Sequence, residues 1–130
     1  MRKILTYGLF DILTKEHIEW LRTAKAQGDY LIVAVPGDQM ALEQEYFIHR
    51  PDAHRKAVLE AIRYVDEVIV QKSDEQLAAD IAAHDIQQFI FHISAPIHLL
   101  ARLGNMATDE GIQELTHYPP LKLIDFHQNP

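Results

Sequence analysis

Short apolar runs that alternate with helix-forming segments constrain the fold of this chain more than any other feature of its sequence. Each run is nearly continuous, which is typical of strands that are covered on both faces of a sheet. Strands that alternate with helices form βαβ units with right-handed crossovers and a parallel sheet. We therefore predict an α/β domain with a Rossmann-like, doubly wound, mainly parallel five-stranded sheet and helices on both faces. The predicted strands span residues 2–7, 30–35, 67–70, 88–91 and 121–126.

Start and stop signals place the helices between these strands. Gly28 follows the first helical segment, at a position where glycine commonly ends a helix. Ser73 is a favourable N-cap, and Gln76 completes the pattern of a capping box. The predicted helices span residues 15–27, 51–63, 73–83 and 96–103, whereas the pattern over residues 41–50 is ambiguous.

Composition excludes several classes of function. The 130 residues fit one domain, 1–130, and the absence of cysteine rules out disulfides, thiolate metal ligands and cysteine nucleophiles. The net charge of −7 argues against nucleic-acid binding, which needs a basic face. No apolar run approaches the roughly 20 residues of a membrane span, and no targeting segment is recognisable. We therefore expect a cytoplasmic protein with no membrane contact.

The loop after the first strand is the first candidate for a ligand site. In a doubly wound sheet, ligands bind beyond the carboxyl ends of the strands, at the point where the strand order reverses. This loop extends from Gly8 to His17 and leads directly into the first predicted helix. We therefore expect its residues to contribute to the site.

The sequence of that loop resembles the opening motif of a known family. Residues 8–11 (G-L-F-D), followed by His17, resemble the pattern G-x-F-D-x-x-H-x-G-H of the nucleotidyltransferase superfamily, and particularly of glycerol-3-phosphate cytidylyltransferases. Residues 28–35 resemble the second strand of that subgroup, and residues 53–69 resemble its H-R-K…I-R-Y-V-D-E-V segment. The resemblance covers residues 1–91 and implies a cytidylyltransferase-like fold.

The resemblance also implies a reaction and a set of site residues. In the family, an alcohol phosphate attacks the α-phosphate of CTP, and the enzyme supplies positive charge and hydrogen-bond donors to the transition state. The implied partners are CTP or another nucleotide, with Mg²⁺ only when a nucleotide is bound, and a second copy of the chain. Exposed apolar side chains at residues 46–48 would favour such a homodimer. The residues implied to bind nucleotide are Gly8, Phe10, Asp11, His17 and Arg55; His17 and Thr14 would be catalytic in an active enzyme.

Several positions depart from the family pattern. Thr14 replaces the first motif histidine and Glu16 replaces the motif glycine, so a carboxylate stands where a triphosphate is expected. Residues 42–47 contain two acids and no lysine, although the family has a lysine in this segment. Residues 92–96 do not match the family's G-x-D-W segment, and residues 126–129 do not match its R-x-x-x-I-S-T-T segment. We predict that the domain has lost efficient nucleotidyl transfer and acts as a binding or regulatory homodimer.

Two other functions stay open. A divergent but active nucleotidyltransferase would use His17, Thr14 and Arg55 with Mg²⁺. A different class of enzyme in the same crevice would use His17, His92 and Glu16. A metal held by His17, His92 and His98 is a further hypothesis, although no closely spaced ligand motif supports it, and we predict no resident metal.

Structural roles compete with the functional ones. His17 is also interpretable as a helix-surface or capping residue. Arg55 is also interpretable as a solvent-exposed partner of Glu60 or Asp52, as surface arginines usually are. Trp20 has the spacing of a core or dimer contact rather than of a stacking platform.

Overall fold

Parallel strand pairing organises the described part of the chain, which in this computed structural model comprises residues 1–43, 47–92 and 121–124. The strands are β1 (Lys3–Tyr7), β2 (Tyr30–Pro36), β3 (Glu67–Gln71), β4 (Gln88–His92) and β5 (Leu121–Ile124). They lie in the order β3-β2-β1-β4-β5, and each neighbouring pair is parallel. In the centre, Thr6 of β1 lies opposite Val33 of β2, which lies opposite Val68 of β3.

Helices fill the connections from β1 to β4. They are α1 (Lys15–Ala26), α2 (Asp38–Glu43), α3 (Asp52–Glu60) and α4 (Asp74–His84). The Ser73 hydroxyl caps α4 by accepting a hydrogen bond from the backbone N–H of Gln76 at 3.1 Å, as its sequence predicts. The helix stops at Asp85, whose left-handed conformation (φ 52) is one that a short polar side chain tolerates.

Two apolar cores lie on opposite faces of the sheet. Successive residues of a strand point to opposite faces, so neighbours such as Ile4 and Leu5 enter different cores. The first core contains side chains from the central strands and from α4: Leu5, Tyr7, Ile32, Ala34, Ile69 and Ile81. The second contains side chains from the same strands and from α1 and α3: Ile4, Leu31, Val33, Trp20, Leu21 and Leu59.

The strand order reverses between β1 and β4. From β1 the chain proceeds through β2 to β3 at one side of the sheet, and β4 then pairs with the other side of β1. The carboxyl ends of β1 and β4 therefore flank the cleft in which this architecture forms its ligand sites. The loop that begins at Gly8 starts at this point.

The structure confirms the α/β class, the parallel sheet and the helices on both faces. It corrects the end of α3, which stops at Glu60 rather than near residue 63. The reason is local: the N–H groups of Ala61 and Ile62 bond to carbonyls three residues back, and such bonds tighten and end a helical turn.

Some predicted elements are only partly comparable with the structure. The short helix α2 begins at Asp38, before the segment over residues 41–50 that the sequence pattern leaves ambiguous, and ends within it at Glu43. The predicted helix over residues 96–103 and residues 125–126 of the last predicted strand lie outside the described residues. Within the described ranges, no helix combines the length and apolar character needed to cross a membrane.

Candidate functional site

The turn after β1 is packed tightly around Gly8. A Cβ at Gly8 would lie 2.7 Å from the Phe10 ring and 2.8 Å from the Trp20 ring. Phe10 has a positive φ of 50, and its ring packs against Trp20 with centroids 4.6 Å apart and ring planes tilted by 40°. Trp20 is buried and its Nε1 donates to the Thr6 hydroxyl at 2.8 Å, so its predicted core role is confirmed.

A reciprocal hydrogen-bonded box begins α1. The backbone N–H of Thr14 donates to Nδ1 of His17 at 3.0 Å, and the backbone N–H of His17 donates to the Thr14 hydroxyl at 3.4 Å. A ring nitrogen that accepts from a backbone N–H carries no proton, so in this arrangement Nε2 of His17 is the ring donor. The structure therefore confirms the capping interpretation of His17 and orients its ring.

Glu16 adds a negative charge to the same turn. Its own backbone N–H and then the Thr14 hydroxyl donate hydrogen bonds that lower the pKa of the exposed carboxyl. The first turn of a helix favours an anion, because its N–H groups carry partial positive charge. Glu16 therefore occupies, with its own carboxylate, the kind of position that would otherwise attract a phosphate.

Asp11 joins the turn after β1 to a distant segment of the chain. Its Oδ2 accepts from the backbone N–H and from Nδ1 of His49, each at 2.8 Å, and its Oδ1 accepts from the backbone N–H of Arg50 at 2.7 Å. Burial raises the pKa of Asp11, but these hydrogen bonds outweigh it and hold the pKa below its ordinary value. Asp11 is thus a carboxylate that is committed to protein donors.

Arg55 is buried beneath the same loops. Its Nε donates to the Arg50 carbonyl at 3.1 Å, one terminal nitrogen donates to the Leu9 carbonyl at 3.3 Å, and the other pairs with Asp38 at 3.0 Å. The expectation of an exposed ion pair with Glu60 or Asp52 is wrong, since the Arg55 side chain is 0% exposed and its partner is Asp38. Burial of the guanidinium follows from the three acceptors that surround it.

Asp38 and Asp52 link two helix starts to this arginine. The backbone N–H of Asp38 donates to Asp52 at 3.0 Å, and the backbone N–H of Asp52 donates to Asp38 at 2.8 Å. Each carboxylate thereby accepts a backbone N–H at the start of the other helix, a group that has no partner within that helix. Since Arg55 also bonds Asp38, the starts of α2 and α3 and the turn after β1 form one hydrogen-bonded assembly.

The structure places the predicted residues in two groups. His17, Thr14, Phe10 and Gly8 lie together around the start of α1, whereas Asp11 and Arg55 hold the neighbouring loops. Sequence patterns alone did not single out two participants, His49 and Asp38, because neither belongs to a local motif. His98 and the side chain of His92 lie outside the description, and the described residues contain no group of three side chains placed to hold a metal ion.

The fold and this site define a class of protein: a doubly wound α/β domain with a tightly packed turn before α1, next to the point where the strand order reverses. The family model for cytidylyltransferase-like proteins matches residues 5–116. The chain belongs to the cytidylyltransferase-like family.

Curated relatives support this membership. Over 90 residues the chain is 47% identical to glycerol-3-phosphate cytidylyltransferase of Bacillus subtilis, which covers 69% of this chain and 70% of that protein. Over 93 residues it is 41% identical to the same enzyme of Staphylococcus aureus, covering 69% and 68%. An FAD synthase of Pyrococcus horikoshii is 38% identical over 77 residues, covering 56% of this chain and 50% of that protein.

A solved structure shares the fold. The lipopolysaccharide core biosynthesis protein of Thermoplasma volcanium superposes with a TM-score of 0.79 at 20% identity, covering 95% of this chain and 96% of that chain. At this identity the similarity shows the fold alone.

Proposed function

We propose that this chain is a cytidylyltransferase-like domain that binds a nucleotide at the switch point between β1 and β4 but has lost efficient nucleotidyl transfer. It would act as a binding or regulatory subunit and as a homodimer. The observation that carries the proposal is the arrangement of Thr14, Glu16 and His17 at the start of α1.

Nucleotidyl transfer needs positive charge and donors that face the phosphates in the transition state. At the start of α1, Thr14 is a neutral hydroxyl that caps the helix, and Glu16 is a carboxylate with a lowered pKa. His17 uses Nδ1 to complete the cap. Losing one well-placed donor typically costs roughly 3 kcal/mol of transition-state stabilisation, and a carboxylate beside the phosphates adds repulsion.

Features that support binding persist in the same place. The turn that begins at Gly8 leads from the end of β1 to the start of α1, where Nε2 of His17 is a donor. Mg²⁺ would enter with the nucleotide, because this ion is commonly held by substrate phosphates and few protein groups. Because two of these relatives are glycerol-3-phosphate cytidylyltransferases, glycerol 3-phosphate with CTP is the first substrate pair to assay.

A divergent active enzyme is the second candidate, and the 47% identity to a glycerol-3-phosphate cytidylyltransferase favours it. It would use His17 and Thr14 at the phosphates. Arg55 would support it only from behind the loops, because its guanidinium is buried and paired with Asp38. A different enzyme class that uses His17, His92 and Glu16 is distinguished by metal analysis of the purified protein.

The discriminating experiment restores the family motif. We would measure CDP-glycerol formation from CTP, Mg²⁺ and glycerol 3-phosphate by the wild type and by a Thr14→His/Glu16→Gly variant. The expected result is no product from the wild type above a blank and a clear gain in the double variant. A matched control, Lys15→His/Glu19→Gly, introduces the same two residue types at positions of α1 other than those of the motif histidine and glycine, and should show no gain. Robust turnover by the wild type would overturn the proposal.

The homodimer has its own test. Phe47 is 80% exposed, and Val58 on α3 is an exposed apolar residue of smaller size. Sedimentation equilibrium should show a dimer for the wild type and for a Val58→Ser control, and a weakened dimer for Phe47→Ser. A monomeric wild type would contradict this part of the proposal.

A further inference from the structure

We propose that Asp11 is a positioning residue: it latches the segment at His49 and Arg50 onto the turn after β1, and so sets the shape of the nucleotide crevice without contacting the nucleotide. We refer to Asp11, His49 and Arg50 as the Asp11 latch. The inference rests on the proposed function, because the crevice that the latch shapes is the proposed nucleotide site.

Geometry assigns the carboxylate to the protein rather than to a ligand. Both of its oxygens accept from residues 49 and 50: two backbone N–H groups and one ring nitrogen, at distances between 2.7 and 2.8 Å. The Asp11 side chain is only 11% exposed. Two backbone donors and a ring nitrogen hold a carboxylate in one orientation, and such charge-assisted hydrogen bonds are among the stronger ones in proteins.

The same two segments are joined a second time from beneath. Arg55 donates to the carbonyl of Leu9, next to Gly8, and to the carbonyl of Arg50. Asp11 therefore accepts a hydrogen bond from the N–H of Arg50, and Arg55 donates one to the carbonyl of the same residue. The peptide groups on both sides of Arg50 are held in this way. As a result, the turn after β1 and the segment before α3 behave as one body.

This arrangement has a consequence for ligand binding. The turn at Gly8 must keep its conformation to present the backbone to a phosphate, and Phe10 holds that turn in a left-handed conformation. A carboxylate whose oxygens are already committed to donors also repels an incoming anion less than a bare one. Asp11 would therefore support phosphate binding indirectly, by fixing the turn and by having its charge compensated.

The test compares two aspartates that each accept a backbone N–H. Asp11→Asn removes the charge of the latch. Asp29→Asn is the matched control, since Asp29 lies at the amino end of the sheet and accepts from the backbone N–H of Arg2 at 2.7 Å. Two quantities are measured for each variant and for the wild type: amide hydrogen exchange at residues 49 and 50, and the Kd for CTP with Mg²⁺ by calorimetry.

The expected result for Asp11→Asn is about tenfold faster exchange at residues 49 and 50 and about tenfold weaker CTP binding, the size of effect expected for one charged hydrogen-bond acceptor. Asp29→Asn should change neither quantity. His49→Ala, which keeps both backbone donors, should give a smaller change in the same direction. It also serves as the second variant if Asp11→Asn fails to fold.

Each other outcome overturns a defined part of the inference. Weaker CTP binding with unchanged exchange at residues 49 and 50 would make Asp11 a direct ligand. Faster exchange with unchanged CTP affinity would make the latch structural only. A wild type that binds no CTP would overturn the proposed function and with it the positioning role, while the exchange measurement alone still decides whether the latch holds the two segments together.

Discussion

The two ends of the sheet are stabilised by different chemistry. At the carboxyl end, the turn after β1 and the starts of α2 and α3 are joined through Arg55 and Asp11, whose partners are mostly backbone groups. At the amino end, side chains also bond backbone groups such as the N–H of Arg2, but a side-chain cluster that includes a histidine is added: the Tyr30 hydroxyl donates to Glu67 at 2.8 Å, and Nε2 of His84 bonds the other oxygen of Glu67 at 2.8 Å.

This difference implies that the two ends have different roles, one in ligand binding and the other in the response of stability to pH. The carboxyl end fixes backbone conformation through the guanidinium of Arg55 and the carboxylate of Asp11. The amino end contains a histidine with an acceptor at each ring nitrogen, since Nδ1 of His84 lies 2.8 Å from the Asp80 carbonyl. A ring with two acceptors is satisfied only when both nitrogens carry protons. We therefore expect ligand binding to depend on the carboxyl end of the sheet, and the change of stability between pH 6 and pH 9 to depend on the amino end.

The largest effect should come from removing the buried guanidinium. Arg55→Met leaves the carbonyls of Leu9 and Arg50 and the carboxylate of Asp38 without their donor, which should lower the free energy of unfolding by about 3 kcal/mol. Arg63→Met, which removes an exposed arginine, is the control and should cost less than about 1 kcal/mol. Urea unfolding measures both. Equal losses in the two variants would show that Arg55 does not join the loops as described.

Glycine substitutions compare the two ends directly. A Cβ at Gly28, at the amino end, would lie 2.8 Å from the Arg2 carbonyl oxygen, whereas the atoms nearest to a Cβ at Gly8 belong to two side chains. Side chains adjust more easily than backbone, so Gly28→Ala should cost about 3 kcal/mol and Gly8→Ala about 1 to 2 kcal/mol.

Gly37→Ala is the control for both glycine variants. Its nearest atoms would lie 3.4 Å from the added Cβ, which is ordinary contact, so the free energy of unfolding should change by less than about 0.5 kcal/mol. Thermal unfolding ranks the three variants. A Gly37→Ala loss as large as that of Gly28→Ala would contradict the packing described at both ends.

The smallest effect should be pH-dependent and confined to the amino end. Burial lowers the pKa of His84, but its hydrogen bonds to Asp80 and Glu67 outweigh this and raise the pKa above the ordinary 6.5. Stabilisation by the protonated ring is therefore fully present below pH 6.5 and is lost as the pH rises through the pKa of the folded protein. Relative to the wild type, His84→Gln should lose at most about 1 kcal/mol at pH 6 and nearly nothing at pH 9.

His54→Gln controls for removal of an exposed histidine, and its stability difference from the wild type should not vary with pH in this way. Unfolding midpoints from pH 6 to pH 9 give the comparison. A His84→Gln loss that grows with increasing pH would have the wrong sign and would refute the role of the protonated ring.

Local sequence patterns predict the strands of the sheet, because burial of a strand by itself requires a run of apolar residues. The run over residues 30–35 is apolar at nearly every position, and β2 is buried along almost its whole length. Helices that begin with a capping residue are predicted equally well, as the Ser73 cap of α4 shows. The helix α2, with six residues, is too short for helical periodicity to be visible.

Only part of the site could be predicted, because some of its interacting residues are far apart along the chain. The motif from Gly8 to His17 is contiguous, so its location follows from the sequence. The roles of Asp11 and Arg55 depend on partners 38 and 17 residues away, His49 and Asp38, and no local pattern encodes those distances. Burial of an arginine also runs against the usual preference of that residue for the surface.

The central claim, binding without efficient transfer, is tested most directly by a single experiment with the wild type in excess over radiolabelled CTP. Protein, Mg²⁺ and glycerol 3-phosphate are incubated with the label, and both the retained CTP and the labelled CDP-glycerol are quantified. The account predicts that CTP is retained and that no labelled product accumulates beyond a protein-free blank. Conversion of the bound CTP to CDP-glycerol within seconds would contradict the loss of transfer, and failure to retain any CTP would contradict the binding role.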